Sequence, residues 1–171
     1  GEEIGHPNPR VRQAAARGLA AFPGSAFSAD ALLRAVADDA PEVRLTAAVA
    51  LQARRESRLA GPIAQRLDVE QELDVQLALI VALGRLAAPE GVHKLITLAV
   101  PDQRMLRRRD ILLLRLGAIE ALGEARTPQS MMALQRLLED REKDVRESAA
   151  RLFTRARRQT STGSIGAVSE P

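Results

Sequence analysis

The feature that most constrains this fold is a nine-residue pattern that recurs five times along the chain. In each copy the first residue is apolar, and so are the residues four, five and eight positions later. The copies begin at Val11, Val43, Val75, Leu114 and Val145, so successive starts are separated by 32, 32, 39 and 31 residues. A nearly constant period in this range is typical of a stacked repeat array rather than of a single closed domain.

Each copy of the pattern predicts one helix, because its apolar positions form a single stripe at 3.6 residues per turn. A shorter apolar run follows four of the copies, as in Ala31-Leu32-Leu33. One stripe cannot be buried alone, so the natural unit is a helical hairpin that stacks on its neighbours. The sequence therefore predicts an all-α solenoid of about five hairpins and nine helices over residues 9–158, between a flexible N-terminus (1–8) and a disordered tail or linker (159–171).

Prolines and glycines predict where these helices begin and end. Proline is accepted at the first helical position, and glycine is favoured just past a helix C-terminus, where the backbone turns left-handed. Thr127 is a good N-cap. We expect Gly84 and Gly123 to end two of the first-type helices. The prolines at predicted helix starts are Pro9, Pro41, Pro62, Pro89 and Pro128.

Two stretches carry a resemblance to a known family. Residues 39–44, Asp-Ala-Pro-Glu-Val-Arg, precede Ala47 and Ala48, and residues 139–146 precede Ala149 and Ala150 in the same way. These stretches resemble the short bacterial type of HEAT repeat, which also occurs in phycobilin lyase subunits. The resemblance covers residues 9–158 and implies a scaffold, a fold that serves many functions. Gln76, which replaces the arginine of the other copies, and the longer fourth interval depart from the family pattern.

An arginine follows the first residue of the pattern in four copies, at Arg12, Arg44, Arg115 and Arg146. Because a guanidinium offers several donors in one plane, it is suited to linking successive helix ends. We interpret the four as a structural arginine ladder, with a ligand site as the alternative. The expected partners are acids such as Asp39, Asp74, Asp110 and Asp144.

The long interval between the third and fourth copies contains a seven-residue insertion with a basic cluster. Insertions in repeat arrays map to loops on one face, which is often the binding face. We therefore expect this cluster to bind a partner; the alternative is a solvated extension whose arginines pair with Asp102 and Asp110. The predicted partner-binding residues are Arg104, Arg107, Arg108, Arg109 and the nearby Arg115.

The first hairpin loop contains two of the three phenylalanines in the chain, Phe22 and Phe27. The expected arrangement is that both rings pack over the open end of the first repeat. The alternative is an exposed aromatic loop that binds a partner.

The composition and motifs argue against a metal site, a cofactor and catalytic residues. The chain has no Cys and only two histidines, His6 and His93, which are far apart, so we expect no metal site. It has no phosphate-binding loop and no nucleophile elbow, and we expect no catalytic residues and no cofactor.

The absence of a signal peptide and of a long apolar run predicts a cytoplasmic location. Because the chain begins with Gly1 rather than Met, we also expect a piece of a longer protein.

Three functions remain. The favoured hypothesis is a non-catalytic protein–protein interaction scaffold, within a larger bacterial protein, that docks an acidic partner through its concave face and the basic insertion. The 23 arginines and two lysines suit recognition of carboxylates. One alternative is DNA binding, which the net charge of +3 and a pI near 10.4 allow, although no Trp or Tyr offers a stacking platform. The other is a chromophore lyase or chaperone subunit, which the resemblance alone implies.

Overall fold

The computed structural model describes residues 5–100 and 109–163, which form nine α-helices and no strand. The predicted all-α solenoid of stacked hairpins is confirmed. A single 3₁₀ turn, Ser57–Leu59, precedes the fourth helix. In chain order the helices are α1 (Pro9–Leu19), α2 (Ala26–Ala35), α3 (Pro41–Leu51), α4 (Ala60–Val69), α5 (Leu73–Leu86), α6 (Pro89–Ala99), α7 (Arg109–Ala125), α8 (Pro128–Leu137) and α9 (Lys143–Gly163).

The helices form two layers. The five first-type helices, α1, α3, α5, α7 and α9, pack side by side in chain order, and α2, α4, α6 and α8 form the second layer against them. One continuous core runs between the layers from Ala16 to Leu152. The predicted stripes contribute fully buried leucines and isoleucines to this core, including Leu51, Leu79, Ile80, Ile119 and Leu122.

The proline and threonine signals place most of the helix starts. Pro9, Pro41, Pro89 and Pro128 each occupy the first position of a helix, as predicted. Pro62 is instead the third residue of α4, because the preceding 3₁₀ turn leads the chain into that helix. The hydroxyl of Thr127 accepts a hydrogen bond from the amide of Ser130 at 3.1 Å.

The prediction that Gly84 and Gly123 end their helices is wrong. α5 continues to Leu86 and α7 to Ala125. The left-handed residues that follow are Ala87 and Arg126, with φ of 51° and 52°.

These glycines allow close packing between helices instead of a turn. A Cβ on Gly84 would lie 2.8 Å from the Cβ and the carbonyl oxygen of Ala121, and one on Gly117 would lie 2.9 Å from Leu77 Cδ2. At Gly84 the contacted atoms belong to the backbone and Cβ of Ala121, so they cannot move aside, whereas at Gly117 the nearest atom is the end of a leucine side chain. α5 and α7 therefore approach at their backbones, which only glycine permits.

The ends of the array differ slightly from the predicted boundaries. α9 is described as far as Gly163, beyond the predicted end of the array at residue 158. At the other end, Asn8 caps α1 by accepting a hydrogen bond from the amide of Arg10 at 2.9 Å. Residues 1–4 and the tail beyond 163 lie outside the described part of the chain.

The two phenylalanines of the first hairpin loop do not pack over the end of the repeat. Phe22 is 64% exposed and Phe27 is 60% exposed. The space beneath the loop is occupied by the side chain of Arg54, which is 1% exposed and donates hydrogen bonds to the loop carbonyls. The expected packing is therefore wrong, and the loop is held through its backbone by a buried guanidinium instead.

Within residues 5–100 and 109–163, no helix combines the length and the apolar character needed to cross a bilayer.

The glycine contact between α5 and α7 can be tested by adding one methyl group. We expect Gly84→Ala to lower the free energy of unfolding by about 1–3 kcal/mol through overpacking, although alanine is intrinsically better in a helix by about 1 kcal/mol. Gly18→Ala is the matched control, because no atom lies within 4 Å of its new Cβ. The control should be neutral or more stable in urea unfolding followed by circular dichroism. A Gly84→Ala variant as stable as the control would contradict the close approach.

Candidate functional site

A groove of about 1160 Å³ lies between α6 and α8. Val100 and Met132 contribute exposed apolar surface to its walls, at 54% and 56% exposure. Arg115 and Asp140 line its floor. The remaining apolar residues of the groove are Pro89, Ile96, Ala133 and Leu137, and the remaining polar ones are His93, Gln129, Arg136, Glu139, Arg141 and Glu142.

The groove opens because the two layers are packed differently at this point. In the first layer, Gly84 and Gly117 let α5 and α7 approach closely. In the second layer, α6 and α8 make only sparse contact, as α2 and α4 also do, whereas α6 packs closely against α7. Close packing on one side with a gap on the other leaves a wedge-shaped space.

Ion pairs also distinguish this junction from the two before it. Arg58 pairs with Asp30 at 2.7 Å, and Lys94 pairs with Asp68, so each pair links neighbouring hairpins across the second layer. Among the described residues, no ion pair joins α6 to α8. The groove is therefore the one such junction in the described array that side-chain charges leave open.

Arg115 is buried on the groove floor, at 4% exposure. Its Nε donates to the carbonyl of Ala99 at 3.0 Å, and its Nη2 donates to Asp140 Oδ2 at 2.6 Å. These contacts fix the end of α6 to the turn before α9. Arg115 therefore links the two sides of the groove at its floor.

Two of the other recurring arginines, Arg12 and Arg44, make the same kind of contact, whereas Arg146 donates to the backbone carbonyls of Asp140 and Arg141. Arg12 forms two hydrogen bonds of 2.7 Å to the carboxylate of Asp38, and Arg44 binds both oxygens of Glu70 at 2.9 and 3.0 Å. In each pair the acid follows the second helix of the same hairpin.

The acids that serve the arginines are not those expected from the sequence. The partners are Asp38, Glu70 and Asp140 rather than Asp39, Asp74 and Asp144; the side chain of Asp110 lies outside the described residues. The guanidinium reaches across its own hairpin to the loop, whereas the expected acids sit exposed on the loops and in the first helical turns.

Each partner acid also holds the start of the next helix. Asp38 accepts from the amide of Ala40 at 2.9 Å, and Asp140 accepts from the amide of Glu142 at 2.9 Å. Glu70 accepts from the amides of Gln71 and Glu72, both at 3.0 Å. One carboxylate therefore joins an arginine of one hairpin to the backbone that begins the next.

The backbone of the same acids completes the connection. Arg44 donates to the carbonyl of Asp38 at 2.9 Å, Arg146 donates to that of Asp140 at 2.8 Å, and Gln76 donates to that of Glu70 at 2.7 Å. Gln76 thus keeps the backbone contact that arginine makes elsewhere.

The pKa of the Glu70 carboxyl is lowered strongly by the hydrogen bonds that it accepts. Burial acts to raise its pKa, but hydrogen bonds from Arg44, the Glu72 amide, Arg66 and the Gln71 amide outweigh burial and lower the pKa to about 2. The pKa of Asp38 is also lowered, chiefly by the hydrogen bond from Arg12. Both carboxylates therefore stabilise the fold in their charged form.

Most of the basic insertion lies outside the described part of the chain. Arg104, Arg107 and Arg108 lie outside the described residues, and Arg109 is the first residue of α7, with its side chain outside them. Of the predicted partner-binding residues, the structure places Arg115 in the groove.

Sequence reasoning missed two arginines on the groove rim and one in the core. Arg136 and Arg141 line the groove, and the spacing of Arg136 four residues after Met132 on α8 could have indicated the former. Arg54 gave no signal, because it lies in a loop outside the repeating pattern. It is almost fully buried and also donates to the hydroxyl of Ser28 at 2.6 Å.

A family model described as HEAT repeats matches residues 2–84 of the chain. The chain is a HEAT-like repeat protein. The match spans the first two hairpins and most of α5 and includes the Arg12 and Arg44 contacts. The same hairpin and the same arginine contact continue beyond the match, through α7, α8 and α9. No curated protein matches the chain at a significant level.

The lowered pKa of Glu70 makes the stability of this HEAT-like array depend on pH. The folded-state pKa of about 2 lies below the ordinary value of 4.5. The charged carboxylate therefore stabilises the fold fully above pH 4.5, and this stabilisation is lost as the pH falls towards 2. We expect Glu70→Gln to lower the free energy of unfolding at neutral pH by about 3 kcal/mol. The deficit should shrink as the pH is lowered, as measured by urea unfolding at a series of pH values.

Glu124→Gln is the control for this experiment, because Glu124 is exposed on α7 and has no ion pair among the described residues. It should change stability little at any pH. A Glu70→Gln deficit that is the same at pH 2 and at neutral pH would contradict the role of the charged carboxylate.

Proposed function

We propose that this chain is a non-catalytic protein–protein interaction scaffold that docks an acidic segment of a partner through the α6–α8 groove and the adjoining basic insertion. HEAT repeats are generally protein-interaction scaffolds. The observation that carries the proposal is the groove itself, which combines exposed apolar walls with buried charged residues that already satisfy each other. Such a combination provides an apolar anchor site within a rigid frame.

The groove walls can receive an apolar side chain of the partner. Val100 and Met132 are each more than half exposed, and methionine adapts to ligands of different shape. The floor does not compete for the ligand's charge, because Arg115 and Asp140 are paired with one another at 2.6 Å. The partner would therefore gain affinity mainly from apolar contact in the groove.

The preference for an acidic partner rests on the insertion. On the groove rim, Arg136 and Arg141 are accompanied by Glu139 and Glu142, so the rim is balanced in charge. The excess of positive charge comes from residues 104–109, which contain four arginines and join the end of α6 to the start of α7. We assign selectivity for acidic segments to these arginines, because charge complementarity steers association and suppresses wrong partners.

The test is a pull-down from a bacterial lysate treated with nuclease, with two variants that separate the two contributions. We expect Arg104→Glu/Arg107→Glu/Arg108→Glu to lose the captured protein, because the charge of the insertion is reversed. We expect Val100→Ser/Met132→Ser to weaken capture about tenfold or more, because the apolar anchor is removed. A fluorescence titration with the purified partner gives the dissociation constants.

The control carries the same charge reversal elsewhere, at Arg55, Arg85 and Arg126, which are exposed and do not line the groove. It should capture the partner as the native chain does. Equal loss in the control and in the insertion variant would overturn the proposal, as would capture that is unaffected by both groove and insertion variants. A signal that disappears with nuclease would indicate nucleic-acid binding instead.

A further inference from the structure

A second exposed surface, separate from the groove, lies on the outer side of the first layer. The residue six positions after the start of the pattern is exposed in all five copies. In the first, fourth and fifth copies this residue is charged: Arg17, Glu120 and Arg151. The second and third copies carry Val49 and Val81 instead, at 52% and 37% exposure. Two neighbouring helices, α3 and α5, therefore present valine to solvent where the other copies present charge.

A leucine lies one turn before each valine and enlarges the apolar surface. Leu45 precedes Val49 by four residues, and Leu77 precedes Val81 by four, so each pair shares one face of its helix. Both leucines are half-buried. We call these four residues, in two rows on α3 and α5, the outer strip.

Contacts between α3 and α5 place the two rows on one surface. The Nε2 of Gln52 donates to the carbonyl of Ala78 at 3.2 Å, and the Nη1 of Arg85 donates to the carbonyl of Gln52 at 3.5 Å. Gln52 lies three residues after Val49, Ala78 lies three before Val81, and Arg85 lies four after Val81. Both valines are thus within about one helical turn of the same line of contact, and these hydrogen bonds fix the backbone beneath them.

Carboxylates border the outer strip at one end. Glu42 lies in the first turn of α3, three residues before Leu45, and Asp74 lies in the first turn of α5, three residues before Leu77. Both side chains are exposed, and neither forms an ion pair with another described residue. The two rows run in the same direction, so both acids lie at the same end. Positive charge on a partner is favoured at that end.

We propose that the outer strip docks an amphipathic helix of a partner protein, with lysine or arginine beside its apolar stripe. Two adjacent rows with i, i+4 spacing match the stripe of a helix, whose own side chains recur at i, i+3, i+4 and i+7. The cations of the partner would pair with Glu42 and Asp74. This inference does not depend on the groove, and the partner has the opposite charge.

A second copy of the chain fits this surface less well. Strip-on-strip contact would bring together two surfaces that each carry two carboxylates, with Arg85 as the cation beside the strip. At least one acid on each copy would be left without a partner, which disfavours association.

The experiment measures fluorescence anisotropy of two fluorescein-labelled helical peptides with the full chain. One peptide is built from leucine, alanine and lysine, and the matched peptide carries glutamate in place of lysine. The native chain should bind the lysine peptide about tenfold or more tightly than the glutamate peptide, and Val49→Ser/Val81→Ser should weaken that binding about tenfold or more. Glu42→Lys/Asp74→Lys should reverse the preference. This reversal would not arise from a merely damaged fold.

The control for charge is Glu90→Lys/Asp144→Lys, because these exposed acids also lie in the first turns of their helices, α6 and α9. It matches the loss of favourable interaction with the helix dipole. The control for apolar surface is Val69→Ser, on α4, at 63% exposure. Both controls should bind like the native chain, and so should the groove variant Val100→Ser/Met132→Ser, so the two surfaces are tested separately.

Three results would overturn the proposal. The first is no binding of the lysine peptide, and the second is binding that the outer-strip and charge variants leave unchanged. The third is a dimer in light scattering that Val49→Ser/Val81→Ser dissolves, because the occupant would then be a second copy.

Discussion

The order of the hairpins depends on carboxylates that are buried between arginines and helix starts, and Glu70 is the clearest case. Its side chain is 1% exposed, so its charge is costly unless every lone pair is matched. Arg44, Arg66 and two backbone amides supply the match. Because these donors come from α3, α4 and the turn before α5, one residue fixes the relative position of three helices.

The same connection weakens in the middle of the array, and this has a structural consequence. Gln76 retains the backbone contact but brings no charge, and α5 and α7 are held instead by the close approach at Gly84 and Gly117. The groove between α6 and α8 lies beside this junction and has the Arg115–Asp140 pair on its floor.

Much of the fold could be predicted from the sequence, because helix periodicity and proline positions are local signals. Pro41 and Thr127 act as the sequence indicated. Contacts across about 26 residues, such as that of Arg44 with Glu70, could not be chosen among several nearby acids without the geometry of the hairpin. Gly84 was misread because glycine serves both helix ends and close packing. The repeat pattern drew attention to Arg115, which is buried and paired on the groove floor, whereas Arg136 on the groove rim and Arg54 in the core were recognised only in the structure.

The proposed groove lies next to the insertion, and the contacts of Arg115 with Ala99 and Asp140 hold the backbone beneath it. The most direct test of this account is a double-mutant cycle on Arg44 and Glu70, using Arg44→Met, Glu70→Gln and the double variant in urea unfolding. We predict a coupling free energy of about 2 kcal/mol or more, as for a buried pair. A coupling below about 0.5 kcal/mol, typical of exposed ion pairs, would contradict it.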